Sequence, residues 1–231
     1  MGGDDFAWAA TLMARRRQEY AAYSPVFWRP AHGVEAHHAR FLGAAAAEEG
    51  AVAVRTDRGF AIGQVRGGAL LVDDFTVEAP DLWPTEGRQL LEECAAAARR
   101  HGLALRVVTA RRDVPKRTLL QRSGLVAVAR WWVKELAPIG PAAAWGPVRV
   151  ADVDALLVPA PPVYDPGGPV CLLGDLDPEL APAASEEAAA LGAVLAVVQR
   201  DRSPDEAPAE EPQLAAAGFH NPSAFYESRT P

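Results

Sequence analysis

The sequence predicts a mixed α/β fold, a central mixed sheet flanked by helices, on three observations. Apolar positions recur at helical spacing in some stretches and at strand spacing in others. Residues 51–77 hold three strand-like runs separated only by Thr56-Asp57-Arg58-Gly59 and by Gly67-Gly68, which reads as an antiparallel meander. After them helix-like and strand-like segments alternate, the order from which parallel pairs are built.

The elements follow in order. Phe6, Ala9, Leu12, Met13 and Tyr20 give residues 4–22 an amphipathic helical stripe, ended by Ser24-Pro25. Arg15-Arg16-Arg17 within it reads as a solvated face, with a phosphate or partner contact as the alternative. Val26 to Ala31 reads as a short strand, and Gly33 to Glu49 as a second helix stopped by Gly50. Strands are expected at Ala51–Arg55, Phe60–Arg66 and Ala69–Val77, then a loop from Glu78 to Glu86. Gly87 to His101 carries Leu90, Leu91, Cys94, Ala95 and Ala98 at helical spacing. Leu103–Thr109 has the composition of a buried strand, 114–122 is a short helix with Pro115 in its first turn, and Leu125–Leu136 is a long strand.

Residues 137–168 are rich in Pro, Ala and Gly and read as a boundary segment, with one strand near Val148–Val150. Beyond it the pattern returns: a strand at Pro169–Leu173, a helix at Pro178–Leu191, a strand at Ala193–Gln199, a helix end at Leu214–Phe219 and a strand at Ser223–Tyr226. Gly102-Leu-Ala-Leu-Arg-Val-Val is echoed by Gly192-Ala-Val-Leu-Ala-Val-Val, so the tail reads as a second copy lacking its front half. The expected organisation is therefore an N-terminal helical extension (1–25), a first domain (26–136), a boundary segment (137–168) and a half-domain (169–231).

Composition excludes several classes. With 49% hydrophobic and 23% charged residues, the 231-residue chain is not globally disordered. Its net charge of −7 makes it a poor binder of nucleic acid and suits a cationic or neutral small molecule. No apolar run reaches the ~18 residues of a membrane span, and Met-Gly-Gly-Asp-Asp is not a signal peptide, so the cytoplasm is the default location. Cys94 and Cys171 are far apart and read as small core residues rather than a disulfide or metal pair. His37 and His38, adjacent in a helix, read as a solvated face and not as metal ligands. The acidic stretch from Asp201 to Glu211 reads as a solvated loop.

Residues 26–136 resemble the GCN5-related N-acetyltransferase (GNAT) superfamily in their order of strand, helix, meander, long helix, strand, short helix and strand. The family's cofactor signature places a Val at the end of the fourth strand, then Arg/Gln-x-x-Gly-x-Gly/Ala and Leu-Leu. Val77, Leu82-Trp83-Pro84-Thr85-Glu86-Gly87 and Leu90-Leu91 match its spacing, but Leu82 and Thr85 replace two of its letters and only Gly87 fits. Asp113 to Leu125 resembles the family's Asn-x-x-Ala…Tyr-x-x-x-Gly-Phe run, with Asp113 for the Asn and Leu120 for the Tyr that serves as general acid. The tail resembles the rear half of the same fold, a degenerate half-GNAT extension as in tandem members. The resemblance implies acetyl-CoA as acyl donor, a small-molecule amine or amino acid as acceptor, no nucleic-acid or membrane partner, and room for a homodimer.

It also implies sites. Acetyl-CoA would run beside Phe75 and Val77. Its pyrophosphate would lie at the helix start formed by Thr85, Glu86, Gly87, Arg88 and Gln89, where free N–H groups and the helix dipole suit an anion. Asp113 and Lys116 would border the nucleotide. Pro84 supplies no N–H and Glu86 adds a negative charge, both working against a phosphate. The amine must lose a proton before it attacks a thioester. Asp73 and Asp74 interrupt an otherwise apolar strand, and the adjacent charges would raise one pKa. Asp74 is the candidate base and Glu78 the reserve; Asp73 faces the other way in a regular strand, though a bulge reverses that assignment. Trp131 and Trp132 fall on opposite faces of their strand, one of them a candidate wall of the acceptor pocket. The alternative reading is a non-catalytic ligand-binding or interaction protein on a degenerate scaffold.

Overall fold

Ten strands form one sheet in the computed structural model, which describes residues 1–201 and 210–228. Three antiparallel strands, β1 (Val52–Arg55), β2 (Gly59–Arg66) and β3 (Ala69–Val77), lead through helix α3 (Arg88–Arg100) to β4 (Ala104–Ala110), parallel to β3. Helix α4 (Val114–Arg122) then returns the chain to β5 (Val126–Glu135). The pattern repeats with β6 (Gly146–Val150), β7 (Val153–Val158), β8 (Val170–Leu173), α5 (Ala181–Ala190), β9 (Leu195–Asp201), α6 (Glu210–Ala216) and β10 (His220–Glu227). The mixed sheet with flanking helices is the fold class expected.

The two halves exchange their last strands. From one edge the order is β1-β2-β3-β4-β10, and from the other β6-β7-β8-β9-β5. β10 thus fills the place beside β4, and β5 the place beside β9, while the two pair with each other antiparallel.

The second copy is more complete than its sequence suggested. Residues 137–168 hold two strands, not one near Val148–Val150. They are joined by Ala151 and Asp152, both at positive φ (45° and 62°), the hairpin turn usually marked by Asn-Gly. Without those letters the turn had no signal. Pro147 sits on the outer edge strand, where a missing N–H costs no ladder bond.

Two other expectations change. Val26 to Ala31 is not a strand: it forms turns, with a single bridge from Pro30 to Tyr164, and Pro25 and Pro30 bracket the segment. The loop expected from Glu78 to Glu86 is helical from Pro80 onward, a 3-10 turn (Pro80–Leu82) and a π turn (Trp83–Gly87) running directly into α3.

Helices α3 and α4 bury Leu90, Leu91, Leu119 and Leu120 against one face of the sheet, and α5 and α6 do the same in the second half with Ala181, Ala184 and Leu214. Cys94 and Cys171 are free and buried in these two cores. The opposite face carries α1 (Gly3–Ala21) and α2 (Val34–Ala46), packed on Phe60 and Ile62. It also carries Phe27 and the segment around Val158–Ala160, which pack on Val170, Leu195 and Val197. The acidic stretch read from Asp201 to Glu211 lies mostly outside the described residues.

A chain ending at Gly218 should strip β10 from between β4 and β5 and leave two hydrophobic edges unpaired. It is expected to aggregate and to show no cooperative melting by circular dichroism; a soluble fragment with a sharp transition would show that the exchanged strand is dispensable.

Candidate active site

β3 carries a bulge where its two carboxylates stand. Ile62 pairs with Asp74 and Gly63 with Val72, so Asp73 is the extra residue. Regular alternation would send Asp73 and Asp74 to opposite faces; the bulge turns both into one cavity, which corrects the facing expected for Asp73. Parallel pairing with β4 ends just before it, at Val72↔Val107.

The cavity holds about 640 Å³ on the sheet face opposite α3–α6. Its polar corner is made by α1, α2, β3 and α4. Asp74 Oδ1 lies 2.8 Å from His38 Nε2 and 3.6 Å from Arg17 Nη2. An ionised carboxylate only accepts, so His38 Nε2 donates to it; Arg17 Nη2, 3.0 Å from that nitrogen, adds positive charge. Arg17 Nε also donates to the Tyr164 hydroxyl at 3.2 Å. Burial works to raise the Asp74 pKa, but His38, Arg17 and Lys116 outweigh it and hold the group below the ordinary carboxylate value.

Asp73 behaves in the opposite way. Among the described residues it has no ion-pair partner, and its exposed carboxylate opens into the cavity. Partial desolvation within the cavity and the neighbouring Asp74 charge push its pKa up to about 6 against the pull of Lys116, Arg17 and His38. The pair therefore splits into one carboxylate held ionised and one poised to take a proton.

The expected donor site is built differently. Val77 and Phe75 are buried on the helix side of β3. Trp83 stacks edge-on against Phe75, ring centroids 5.0 Å apart, and covers Gly87. A Cβ on Gly87 would come within 2.5 Å of Trp83 Cε3 and 3.2 Å of Leu119 Cδ2, so the glycine makes room for an indole. The Arg88 amide is spent inside the helical run on the carbonyls of Thr85 and Trp83. Thr85, Arg88 and Gln89 are exposed, and Glu86 Oε2 is buried with no hydrogen-bond partner. A pyrophosphate does not fit this arrangement.

Asp113 caps α4 at the Lys116 amide, accepts from Tyr20 (2.8 Å) and pairs with Arg16 (2.6 Å), so its carboxylate is consumed by structure. Lys116 is 2% exposed. Its Nζ donates to the Phe75 carbonyl at 3.0 Å and lies over the Phe75 and Trp83 rings. Burial lowers its pKa to about 8. Glu78 pairs with Arg58 away from the cavity. Leu120 is core. Trp131 lines the cavity and Trp132 packs in the opposite core, as strand alternation required.

Arg17 and His38 are the residues that sequence reading missed, and both were placed on solvated faces. They are buried. A signal was present: Ala10, Met13, Arg17 and Tyr20 share one helical stripe, as do His38, Leu42 and Ala45. A polar group on an apolar stripe needs a buried partner. Among the described residues no cluster of three or more His, Cys, Asp or Glu could hold a metal, and no helix is long and apolar enough to cross a membrane.

No protein-family model matches the chain, and no curated protein matches it. Solved structures share its fold. A proposed acetyltransferase from Pyrococcus horikoshii superposes with a TM-score of 0.56 at 12% identity, over 100% of this chain and 88% of that one. A proposed acetyltransferase from Thermoplasma acidophilum gives 0.51 at 13% identity, over 76% and 77%. A tandem GNAT protein from the clavulanic acid biosynthesis pathway is similar only loosely, at a TM-score of 0.42 and 14% identity, over 80% of this chain and 85% of that one. The GNAT-like fold expected from the sequence is the fold present.

Two outcomes follow from this geometry. Gly87→Ala should cost about 1–3 kcal/mol by overpacking Trp83, lowering Tm by about 3–10 °C for a chain this long. Added to Trp83→Ala, the same change should cost nothing further; an equal cost in both backgrounds would assign the glycine to the backbone. The second outcome concerns Asp73, whose folded pKa lies above its unfolded value. The folded state then binds more protons between about pH 4 and 6, and stability falls as pH rises through that window. Asp73→Asn should melt higher than the parent above pH 6, with the gap closing toward pH 4; a constant gap in pH-dependent calorimetry would refute the raised pKa.

Proposed function

We propose that the protein is an N-acyltransferase acting on a small-molecule amine, with Asp73 as the general base. The observation that carries this reading is the bulge, which aims a carboxylate with a pKa near 6 into the cavity beside the point where β3 and β4 part. An amine reaches such a site protonated. Asp73, ionised above about pH 6, accepts the ammonium proton and leaves a neutral nitrogen lone pair for attack on the acyl carbon. Asp74 does not take part in that transfer: held ionised by His38 and Arg17, it keeps the Asp73 pKa up by its charge. The sequence reading assigned the base to Asp74; the split environments favour the exchange of roles.

The donor class, an acyl-coenzyme A such as acetyl-CoA, comes from the fold likeness. The residues at 85–88 do not offer it a phosphate cradle, and no step is assigned to them. That mismatch, with Trp83 over Gly87 and Lys116 on the Phe75 carbonyl, favours a second reading: a protein that binds the amine without transferring an acyl group.

Thiol release from acetyl-CoA across a panel of amines separates the two, alongside calorimetry of acetyl-CoA itself. Under the first reading, release depends on the amine and rises with pH through about 6, and Asp73→Asn lowers it by about 10²–10⁴-fold while losing that limb. Asp74→Asn should keep the limb but move it to lower pH, because a like charge has been removed. Amine binding with no acetyl-CoA binding and no thiol release would establish the second reading instead.

A further inference from the structure

The cavity is larger than its polar corner requires. Past Asp73 it runs across Trp131 to β8 and β9 of the second half, where its walls are Val170, Leu172, Leu195 and Val197. Leu172 is 39% exposed, a large apolar side chain left bare in a cavity rather than in a core. The roof is the segment from Val158 to Pro166, which includes Pro159, Pro161, Pro162 and Pro166. It is tied down by the Ala31 amide donating to the Val163 carbonyl, the Asp165 amide to the Arg29 carbonyl, and Arg17 Nε to the Tyr164 hydroxyl. Its size and mostly apolar lining are those of a site for a drug-sized organic molecule.

The charges in the corner are already matched, with one exception. Asp74 is held by His38 and Arg17, and Lys116 is turned to the Phe75 carbonyl and two rings. Asp73 alone faces the cavity without an ion-pair partner among the described residues. An unpaired carboxylate facing a mostly apolar cavity calls for a cation.

We infer that the second half of the chain supplies the acceptor's body-binding wall, and that the ligand is a primary amine with a single positive charge and a large apolar body, of the arylalkylamine class. The ammonium sits at Asp73 and the body lies against Trp131 and Leu172, since Val170, Leu195 and Val197 are themselves covered. A carboxylate on the ligand would meet Asp73 and Asp74 where Arg17 and Lys116 are already engaged by Asp74, the Tyr164 hydroxyl and the Phe75 carbonyl, so amino acids are disfavoured. The inference rests on the amine-acceptor reading of the same corner, but binding needs no acyl donor, so the two can fail separately.

The test is calorimetric titration of the full chain, without acyl donor, with benzylamine, 2-phenylethylamine and 4-phenylbutylamine, against 4-phenylbutanol and phenylalanine. Affinity should rise about fourfold per methylene along the amines, the worth of a buried CH2. 4-Phenylbutanol should bind at least tenfold more weakly than 4-phenylbutylamine, and phenylalanine not measurably. Leu172→Trp, which fills open space, should weaken 4-phenylbutylamine at least tenfold and benzylamine by less than threefold. Asp73→Asn should erase the preference for amine over alcohol. Affinity independent of chain length, tight binding of phenylalanine, or equal loss for both amines in Leu172→Trp would overturn the inference even in an active acyltransferase. The predicted binding pattern without thiol release would leave it standing and remove the transferase reading.

Discussion

Everything on the cavity side depends on the antiparallel pair of β5 and β10. Each strand ends one half of the chain and is seated in the other, so the two halves share a continuous sheet. Without that pairing each half would present a raw edge, and hydrophobic edges are seldom left bare. The pairing closes both edges, and the exchange makes each half depend on the other's last strand. It also sets β4, β10, β5 and β9 side by side as an unbroken floor, which is why one cavity reaches from β3 to β8.

The corner is then assembled by α1. Two consecutive residues of that helix, Arg16 and Arg17, serve two buried carboxylates on different elements, Asp113 at the start of α4 and Asp74 on β3. Buried ion pairs add little net stability compared with apolar packing, yet losing one member is costly. Their effect here is geometric. Tyr20 on Asp113 and Tyr164 on Arg17 extend the network to the roof, so helix, strand and roof are held in one register around Asp73. Asp73 stands outside that network, which leaves its charge available to a ligand.

Much of the fold was legible in the sequence because its signals were local. The meander announced itself through Gly67-Gly68 and alternating apolar residues, and α3 through its leucines. What was not legible depended on pairing at a distance. The turn at Ala151-Asp152 has no glycine, so β7 looked like boundary sequence and only the end of β6 was expected. The strand exchange leaves no trace in either strand's own residues. At the site, the Asp pair stood out because charges in an apolar strand violate the local rule. Their facing did not, since a bulge is set by register against β2 rather than by composition. Arg17 and His38 were passed over because their runs, Arg15-Arg16-Arg17 and His37-His38, look solvated when taken as groups; only their position on the helical stripe marks one member of each as buried.

Gly87 shows how a matching letter can carry a different physical meaning. In a phosphate loop, glycine lets a backbone approach an anion. Here the approaching group is the Trp83 indole, four residues earlier in the same helical run, and the close contact is apolar. The π turn from Trp83 to Gly87 is what brings the ring over the glycine, and it draws the Arg88 amide back to the Trp83 carbonyl. Spacing alone cannot separate these cases, because both need a small residue at the same place. The neighbours can: Pro84 removes an N–H, Glu86 repels an anion, and Trp83 is too large to leave a cradle empty. The carboxylates of the bulge and the apolar wall of the second half therefore define this protein's chemistry more directly than its partial phosphate signature does.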